Sequence, residues 1–230
     1  MTTAAIAPLD FAALLCSRVC HDVISPVGAI VNGLEMLDSE TDEDIRAVAM
    51  DLIKKSAASA SARLQFCRLA FGAAGSLAAA IDTGDAENVA RGLIGNDRTV
   101  LRWNGPRSLL PKNTVKLLLN MCLIAASSIP RGGEVAVEFE VEGQAVKLRV
   151  VATGNNARLP NAAAVFLTGG SLDTVDGHSI QPYYAALLAK DRGMFITVSA
   201  STDAVALTAT PQEWEGAVNE GGIREEVSRT

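Results

Sequence analysis

One short segment of the chain, CHDVISPVGAI at residues 20–30, combines residue types that support chemistry. It contains His21, one of two histidines in the chain, directly before Asp22. A neutral imidazole is a nucleophile when one ring nitrogen lacks a proton and points outward. A carboxylate that accepts a hydrogen bond from Nδ1 leaves the lone pair of Nε2 available. Phosphoryl transfer depends mainly on positioning and charge stabilisation, so we predict that His21 accepts a phosphoryl group and that Asp22 orients it.

This segment lies within a predicted helix, because apolar residues recur around it at helical spacing. The stripe predicted to face inward is Leu15, Val19, Val23, Val27, Ile30 and Leu34. His21 falls on the opposite face, whose other members are Ser17, Ile24, Ser25, Gly28 and Asn32. A solvated face normally carries Lys and Glu, so these mostly small residues predict a docking surface for another protein. Arg18, one turn before His21, is predicted to supply positive charge to a phosphoryl group.

Pro26 interrupts the backbone hydrogen bonding of this predicted helix one turn after His21. A proline inside a helix costs about 3 kcal/mol and frees a carbonyl of the preceding turn, here that of Asp22. Either the resulting kink serves the docking region around His21, or Pro26 is purely structural. The sequence leaves both explanations open.

A second run of helical spacing covers residues 45–71 and stops at Gly72. The linker before it places Thr41 and Asp44 at the spacing of a capping box. Two long helices joined by a short loop predict an antiparallel hairpin over residues 1–75. A single hairpin would leave an apolar stripe in water, so we predict a homodimer in which two hairpins form a four-helix bundle.

The pattern changes after residue 75. Helical segments now alternate with strand-like ones, and a hairpin signature surrounds Gly143. The predicted fold class is therefore α+β, with an α/β sandwich at residues 76–212 following the helical hairpin. Residues 213–230 are polar and are predicted to form a flexible tail.

The composition excludes several classes of protein. With 49% hydrophobic residues and a net charge of −6, the chain is neither disordered nor a basic nucleic-acid binder. No uninterrupted apolar run reaches the roughly 18 residues that cross a membrane, and the N-terminus lacks the basic start of a signal peptide. The four cysteines form no CxxC pair, so no metal is expected, and Cys16 and Cys20 are predicted to be buried. We therefore expect a cytoplasmic protein.

The motif HDVISP resembles the H-box of dimeric histidine-kinase hairpins, in which a phosphorylated histidine precedes an acid and, at the fifth place, a proline. The segments LLLNMCLIAASSIPRGGEVAVEFE, VVATGNNARLP and GHSIQPYYAALLAKDRGMFITV resemble the ATP-binding domain of those kinases. The resemblance places the nucleotide site at Asn120, Ile124, Ala152, Gly154, Gly177 and Ser179. Ile124 replaces the magnesium-binding asparagine, Ala152 the adenine-binding aspartate, and Ser179 a lid glycine. This site is therefore predicted not to bind ATP.

The kept H-box and the degenerate ATP-binding domain together resemble ChpT-type histidine phosphotransferases over nearly the whole chain. The segments FAALLCSRVCHDVISPVGAIVNGLEML and LQFCRLAFGAAG carry the likeness most strongly. It implies that His21 takes a phosphoryl group from the receiver aspartate of a hybrid histidine kinase (CckA-like). His21 would then pass the group to response regulators (CtrA-like and CpdR-like). It also implies that the chain needs no cofactor of its own, because the receiver supplies Mg²⁺.

Three other functions stay open. An active histidine kinase would have to bind ATP despite the substitutions at Ile124 and Ala152. A non-catalytic dimeric scaffold for receiver domains would leave the placement of His21 unexplained. A phosphatase acting on receivers would rely on Ser25, at the position where kinases often carry a water-orienting threonine or asparagine. The second histidine, His178, lies in the degenerate lid and is predicted to be a loop residue without chemistry.

Overall fold

The N-terminal part of the molecule is a helical hairpin, as predicted. A computed structural model describes residues 6–72, 80–172 and 174–212. Its first two elements are α1 (Pro8–Ser39) and α2 (Glu43–Ala70). The helices approach closely because the positions buried between them include small residues, Gly33 on α1 and Ala49, Ser56 and Ala60 on α2. A Cβ at Gly33 would lie 2.6 Å from Cγ1 of Ile53.

The turn of the hairpin is capped by a different residue from the one predicted. The N-cap of α2 is Asp42 rather than Thr41, and its carboxylate accepts the backbone N–H groups of Asp44 at 2.9 Å and Ile45 at 3.3 Å. Aspartate and threonine both cap helices well, so residue type alone does not decide between the adjacent positions 41 and 42. Arg46 also secures the turn by donating to the carbonyl of Glu40.

The C-terminal part is a layer of helices on a mixed sheet. Its elements are β1 (Ala80–Asp82), α3 (Thr83–Ile94), β2 (Thr99–Asn104), β3 (Leu109–Pro111), α4 (Lys112–Ser127), β4 (Gly133–Glu142), β5 (Ala145–Thr153), α5 (Asn161–Leu167), α6 (Ile180–Asp191), β6 (Met194–Ala200) and β7 (Ala204–Pro211). The five-stranded sheet has the order β2-β4-β5-β7-β6, and only β2 and β4 pair in parallel. The predicted α+β class and the hairpin at Gly143 are confirmed. The short elements β1, β3 and α5 were not predicted, because segments this short show too little periodicity.

The two parts pack together through two hydrophobic clusters. Phe66 and Ala70, near the end of α2, are buried with residues of α3, α4 and the sheet. At the other side of the hairpin, Phe11 of α1 packs against Tyr183 and Tyr184 of α6, with ring centroids 6.2 and 5.8 Å apart. The C-terminal part therefore lies against the N-terminal half of α1. The predicted boundary at residue 75 and the tail from residue 213 lie outside the described ranges and stay predictions.

Helix α1 is more apolar than the sequence analysis anticipated. By length and composition alone, α1 is long and apolar enough to cross a membrane. The expectation of no such segment rested on uninterrupted apolar runs, whereas α1 carries its charged residues singly among apolar ones. In the structure α1 pairs with α2 and also contacts α6, and both contacts require apolar residues.

Candidate functional site

The imidazole of His21 projects from α1 into solvent, with 67% of its side chain exposed. Ser17, Ile24, Ser25 and Gly28 are exposed on the same side of the helix, in agreement with the helical wheel. A Cβ added at Gly28 would meet no atom within 4 Å, so the surface there is open. Another protein can therefore approach the ring without displacing any part of this face.

Asp22 lies between His21 and Arg18. Its Oδ1 is 3.6 Å from Nδ1 of His21, slightly longer than a hydrogen bond, and its Oδ2 accepts a 3.0 Å hydrogen bond from Nε of Arg18. Arg18 was expected to face a phosphoryl group, but in the structure it holds this carboxylate. Hydrogen bonds at reactive groups are often long in the free protein and tighten when substrate binds. The placement thus suits Asp22 to orient the Nδ1–H tautomer of His21.

Pro26, which the sequence left open as either a support of the docking region or a purely structural residue, does not belong to the exposed face. Residues five apart on a helix are separated by about 140°, so Pro26 cannot lie beside His21. The structure buries Pro26, on the same side as Gly33, whose nearest neighbours are Ile53 and Ala49 of α2. Its influence on the site therefore passes through the helix backbone and the packing of α1 on α2.

His178 lies beside His21, a contact that no pattern in the sequence predicted. Its ring meets that of His21 edge-on, with centroids 5.3 Å apart and planes at 78°. The loop before α6 also brings Gly177 against α1, where an added Cβ would lie 3.5 Å from Oγ of Ser17. No local sequence pattern predicts a contact between residues so far apart in the chain. The small residues at Gly177 and Ser17 are compatible with it but do not specify it.

The side chains at the predicted nucleotide site pack against, or hydrogen-bond to, other parts of the protein. Asn120 is fully buried, and its Nδ2 donates to the carbonyl of Lys116 at 2.8 Å. Gln181 of α6 donates through Nε2 to Oδ1 of Asn120 at 3.1 Å. Ile124 and Ala152 are core residues with at most 1% exposure. In this structure α6 packs directly on α4 at this position.

Gly154 and Ser179, at the same predicted site, also make close contacts within the protein. A Cβ at Gly154 would lie 2.5 Å from the carbonyl oxygen of Gly132, so the strand end is tightly packed. Ser179 is buried, and its hydroxyl donates to Oδ1 of Asp176 at 2.7 Å. This hydrogen bond, together with those from the backbone N–H groups of Ser179 and His178, lowers the pKa of Asp176 below its ordinary value. These hydrogen bonds support the backbone of the loop around His178.

A cavity of about 400 Å³ lies between the hairpin and the C-terminal part, on the Asp22 side of α1. Arg18, Asp22 and Arg63 line it from the hairpin, and Arg98 from the other side. Cys67 also borders it, but burial raises the pKa of this thiol to about 11, so it is a poor nucleophile. Within the described ranges no group of three or more His, Cys, Asp or Glu side chains could hold a metal ion.

A second exposed surface of the hairpin is apolar. It comprises Cys16, Cys20, Val27, Val31 and Leu34 on α1 and Ile45, Val48 and Leu52 on α2, and we call it the apolar stripe. Cys16 and Cys20 were predicted to be buried, and Val27 and Leu34 to face inward, but all four are exposed in the single chain. The face toward α2 is centred instead on Pro26 and Gly33.

Comparisons with known proteins agree with this architecture. Residues 83–204, more than half of the chain, match the family model described as the histidine phosphotransferase C-terminal domain. The protein phosphotransferase ChpT of Brucella abortus (strain 2308) is 50% identical over 206 residues, covering 89% of this chain and 97% of that protein. A solved bacterial phosphotransferase is 46% identical, with a TM-score of 0.84, covering 91% of this chain and 100% of that one. The chain therefore belongs to the family of ChpT-type histidine phosphotransferases.

Proposed function

We propose that His21 is the residue of this histidine phosphotransferase that carries the phosphoryl group. The observation that supports this most strongly is an imidazole exposed on an open helix face, with a carboxylate on the Nδ1 side. Nε2 attacks the phosphorus of a receiver's aspartyl phosphate, so that an N–P bond forms as the P–O bond to the aspartate breaks. The Nδ1 proton stays on the ring beside Asp22. The reverse reaction passes the group to the aspartate of a second receiver.

The chain acts without ATP in this proposal and is not an autokinase. Support comes from the positions that would hold the nucleotide. Ile124 and Ala152 are apolar core residues, and Asn120 has its side chain bonded within the protein. A magnesium site would need oxygen ligands, which Ile124 cannot supply. The Mg²⁺ that phosphoryl transfer requires would instead be bound by the acidic pocket of the receiver domain.

The working unit in this proposal is a homodimer built on the apolar stripe. Exposed apolar residues at spacings of three and four recur along both helices of the hairpin, which is typical of a helix face covered by a partner. Pairing two stripes would give a four-helix bundle. His21 lies about 100° around α1 from Cys20, so the bundle would leave its imidazole accessible.

The partners are receiver domains. The donor is proposed to be the receiver of a hybrid histidine kinase (CckA-like), and the acceptors to be response regulators (CtrA-like and CpdR-like) in the cytoplasm. The small residues around His21, Ser17, Ser25 and Gly28, leave room for the rim of a receiver's aspartate pocket. Ile24, which is exposed next to them, would be the apolar contact of that interface.

The proposal is tested by incubating the full chain with a receiver domain that carries ³²P on its aspartate. We expect label on the wild-type chain that is acid-labile and base-stable, and none on His21→Gln. If His21→Gln still relays label between two receivers, the chain is a scaffold and the proposal is wrong. Titration calorimetry with ATP and Mg²⁺ checks the kinase alternative, and micromolar affinity would contradict the absence of ATP binding.

A further inference from the structure

The two histidines of the chain meet although they lie on separate elements. His178 follows the loop between α5 and α6, and its ring stands edge-on to that of His21 at 5.3 Å. Both rings are exposed, so the contact buries little apolar surface. Apolar packing therefore explains the contact between the two rings poorly. Its effect is to place a second imidazole beside the reactive one.

The loop backbone holds His178 in place. Oδ1 of Asp176 accepts the backbone N–H of His178 at 3.0 Å and that of Ser179 at 2.8 Å. The buried hydroxyl of Ser179 adds a third hydrogen bond to the same oxygen. Gly177 lies near Ser17 of α1, where a Cβ added to the glycine would be in van der Waals contact with Oγ of the serine at 3.5 Å. His178 is thus presented to His21 by a braced turn.

The charged groups near His21 and His178 are mostly engaged with one another. On α1, Arg18 is bonded to Asp22, so these two charges largely cancel. On α2, Arg63 lines the cavity on the other side of Asp22, and on the loop the carboxylate of Asp176 accepts three hydrogen bonds. A phosphoryl group on His21 would bring about two negative charges to this surface. An adjacent imidazole can donate an N–H to such a group and can gain a proton when the group arrives.

We infer that His178 is a second phosphoryl-binding residue, which donates a hydrogen bond to an oxygen of the phosphoryl group on Nε2 of His21. The inference rests on the proposed phosphorylation of His21. During transfer, charge spreads over the three equatorial oxygens of the phosphoryl group, and a fixed donor stabilises it. His178 forms no covalent bond in this step. When protonated it takes its additional proton from solvent and keeps it.

The test compares phosphoryl transfer rates of wild type and His178→Gln with a labelled receiver, from about pH 5.5 to 8.5. Dividing each variant rate by the wild-type rate at the same pH cancels the pH dependence of the receiver. We expect His178→Gln to be slower by about tenfold or more. The deficit should grow as the pH falls, because an imidazole can gain a proton and an amide cannot.

Two further variants separate this role from loop structure. Thr174→Ala changes an exposed residue of the same loop and should give a ratio near one at every pH. His178→Lys keeps a cationic donor and should recover much of the rate at low pH, where His178→Gln is slowest relative to wild type. The inference is overturned if His178→Gln matches wild type, or if its deficit is independent of pH and not rescued by lysine. Absence of label on the wild-type chain would instead contradict the proposed function of His21.

Discussion

The carboxylate of Asp22 faces Arg18 with one oxygen and His21 with the other. One oxygen is bonded to Arg18, and the other lies 3.6 Å from Nδ1 of His21. The hydrogen bond from Arg18 holds the carboxylate in place beside the ring, which matters because the histidine needs its proton on Nδ1 to leave Nε2 free. The side chains of Arg18 and Asp22 are only 22% and 19% exposed. Their ion pair is therefore less accessible to solvent than an ordinary surface pair.

Replacing Asp22 with Asn should therefore slow transfer without unfolding the chain. An amide can still fill the space but cannot hold the Nδ1 proton as an anion does. We expect the rate of phosphoryl uptake from a labelled receiver to fall about tenfold to a hundredfold. Asp10→Asn, on the exposed first turn of the same helix, is the matched control and should transfer at the wild-type rate. Equal rates for Asp22→Asn and wild type would contradict the orienting role.

At the scale of elements, the geometry of the hairpin depends on its short turn. Asp42 caps α2, and Arg46 donates to carbonyls of Leu37 and Glu40 at the end of α1. These bonds satisfy backbone groups that would otherwise lack partners at two helix ends. They also tie the end of α1 to the start of α2.

Asp42→Ala should destabilise the protein more than Thr41→Ala. Loss of the capping carboxylate leaves the N–H groups of Asp44 and Ile45 without an acceptor, and such losses cost about 1 kcal/mol in free energy of unfolding. Thr41 makes no described capping bond, so Thr41→Ala should stay within about 0.5 kcal/mol of wild type. Urea denaturation followed by circular dichroism measures both. The reverse order of stability would restore Thr41 as the cap.

At the scale of the whole molecule, the single chain leaves the apolar stripe in water. The hairpin is covered at the N-terminal half of α1 by α6 and at the C-terminal half of α2 by α3 and α4. The turn end of the hairpin, which carries Val31, Leu34, Ile45 and Val48, receives no such cover and is exposed. A second copy of the hairpin would bury this end, in keeping with the proposed homodimer.

Val31→Glu should therefore convert the protein from dimer to monomer. Association would bury the new carboxylate in an apolar interface without a designed partner, which is strongly unfavourable. Light scattering coupled to gel filtration should give the mass of two chains for wild type and of one chain for the variant. Phe195→Glu, at another exposed apolar position outside the hairpin, is the control and should stay dimeric. A dimeric Val31→Glu would show that the chains associate elsewhere.

The sequence by itself determined the features that depend on local periodicity. Helical spacing of apolar residues predicted α1 and α2, and the small residues around His21 predicted its exposed face. The alternating pattern around Gly143 predicted the β4–β5 hairpin in the same way. Each of these follows from which side of one element is apolar, and that is written within a few consecutive turns or residues.

Only the tertiary structure decided which of the distant residues meet. The contact of His178 with His21 depends on how α6 and its preceding loop pack against α1, and no spacing along the chain encodes it. Packing of α6 on α4 likewise buries Asn120 under Gln181, and packing of α1 on α2 buries Pro26. Long-range contacts are set by the summed packing of whole elements, so a local pattern predicts an element's faces but not the partner that each face finds.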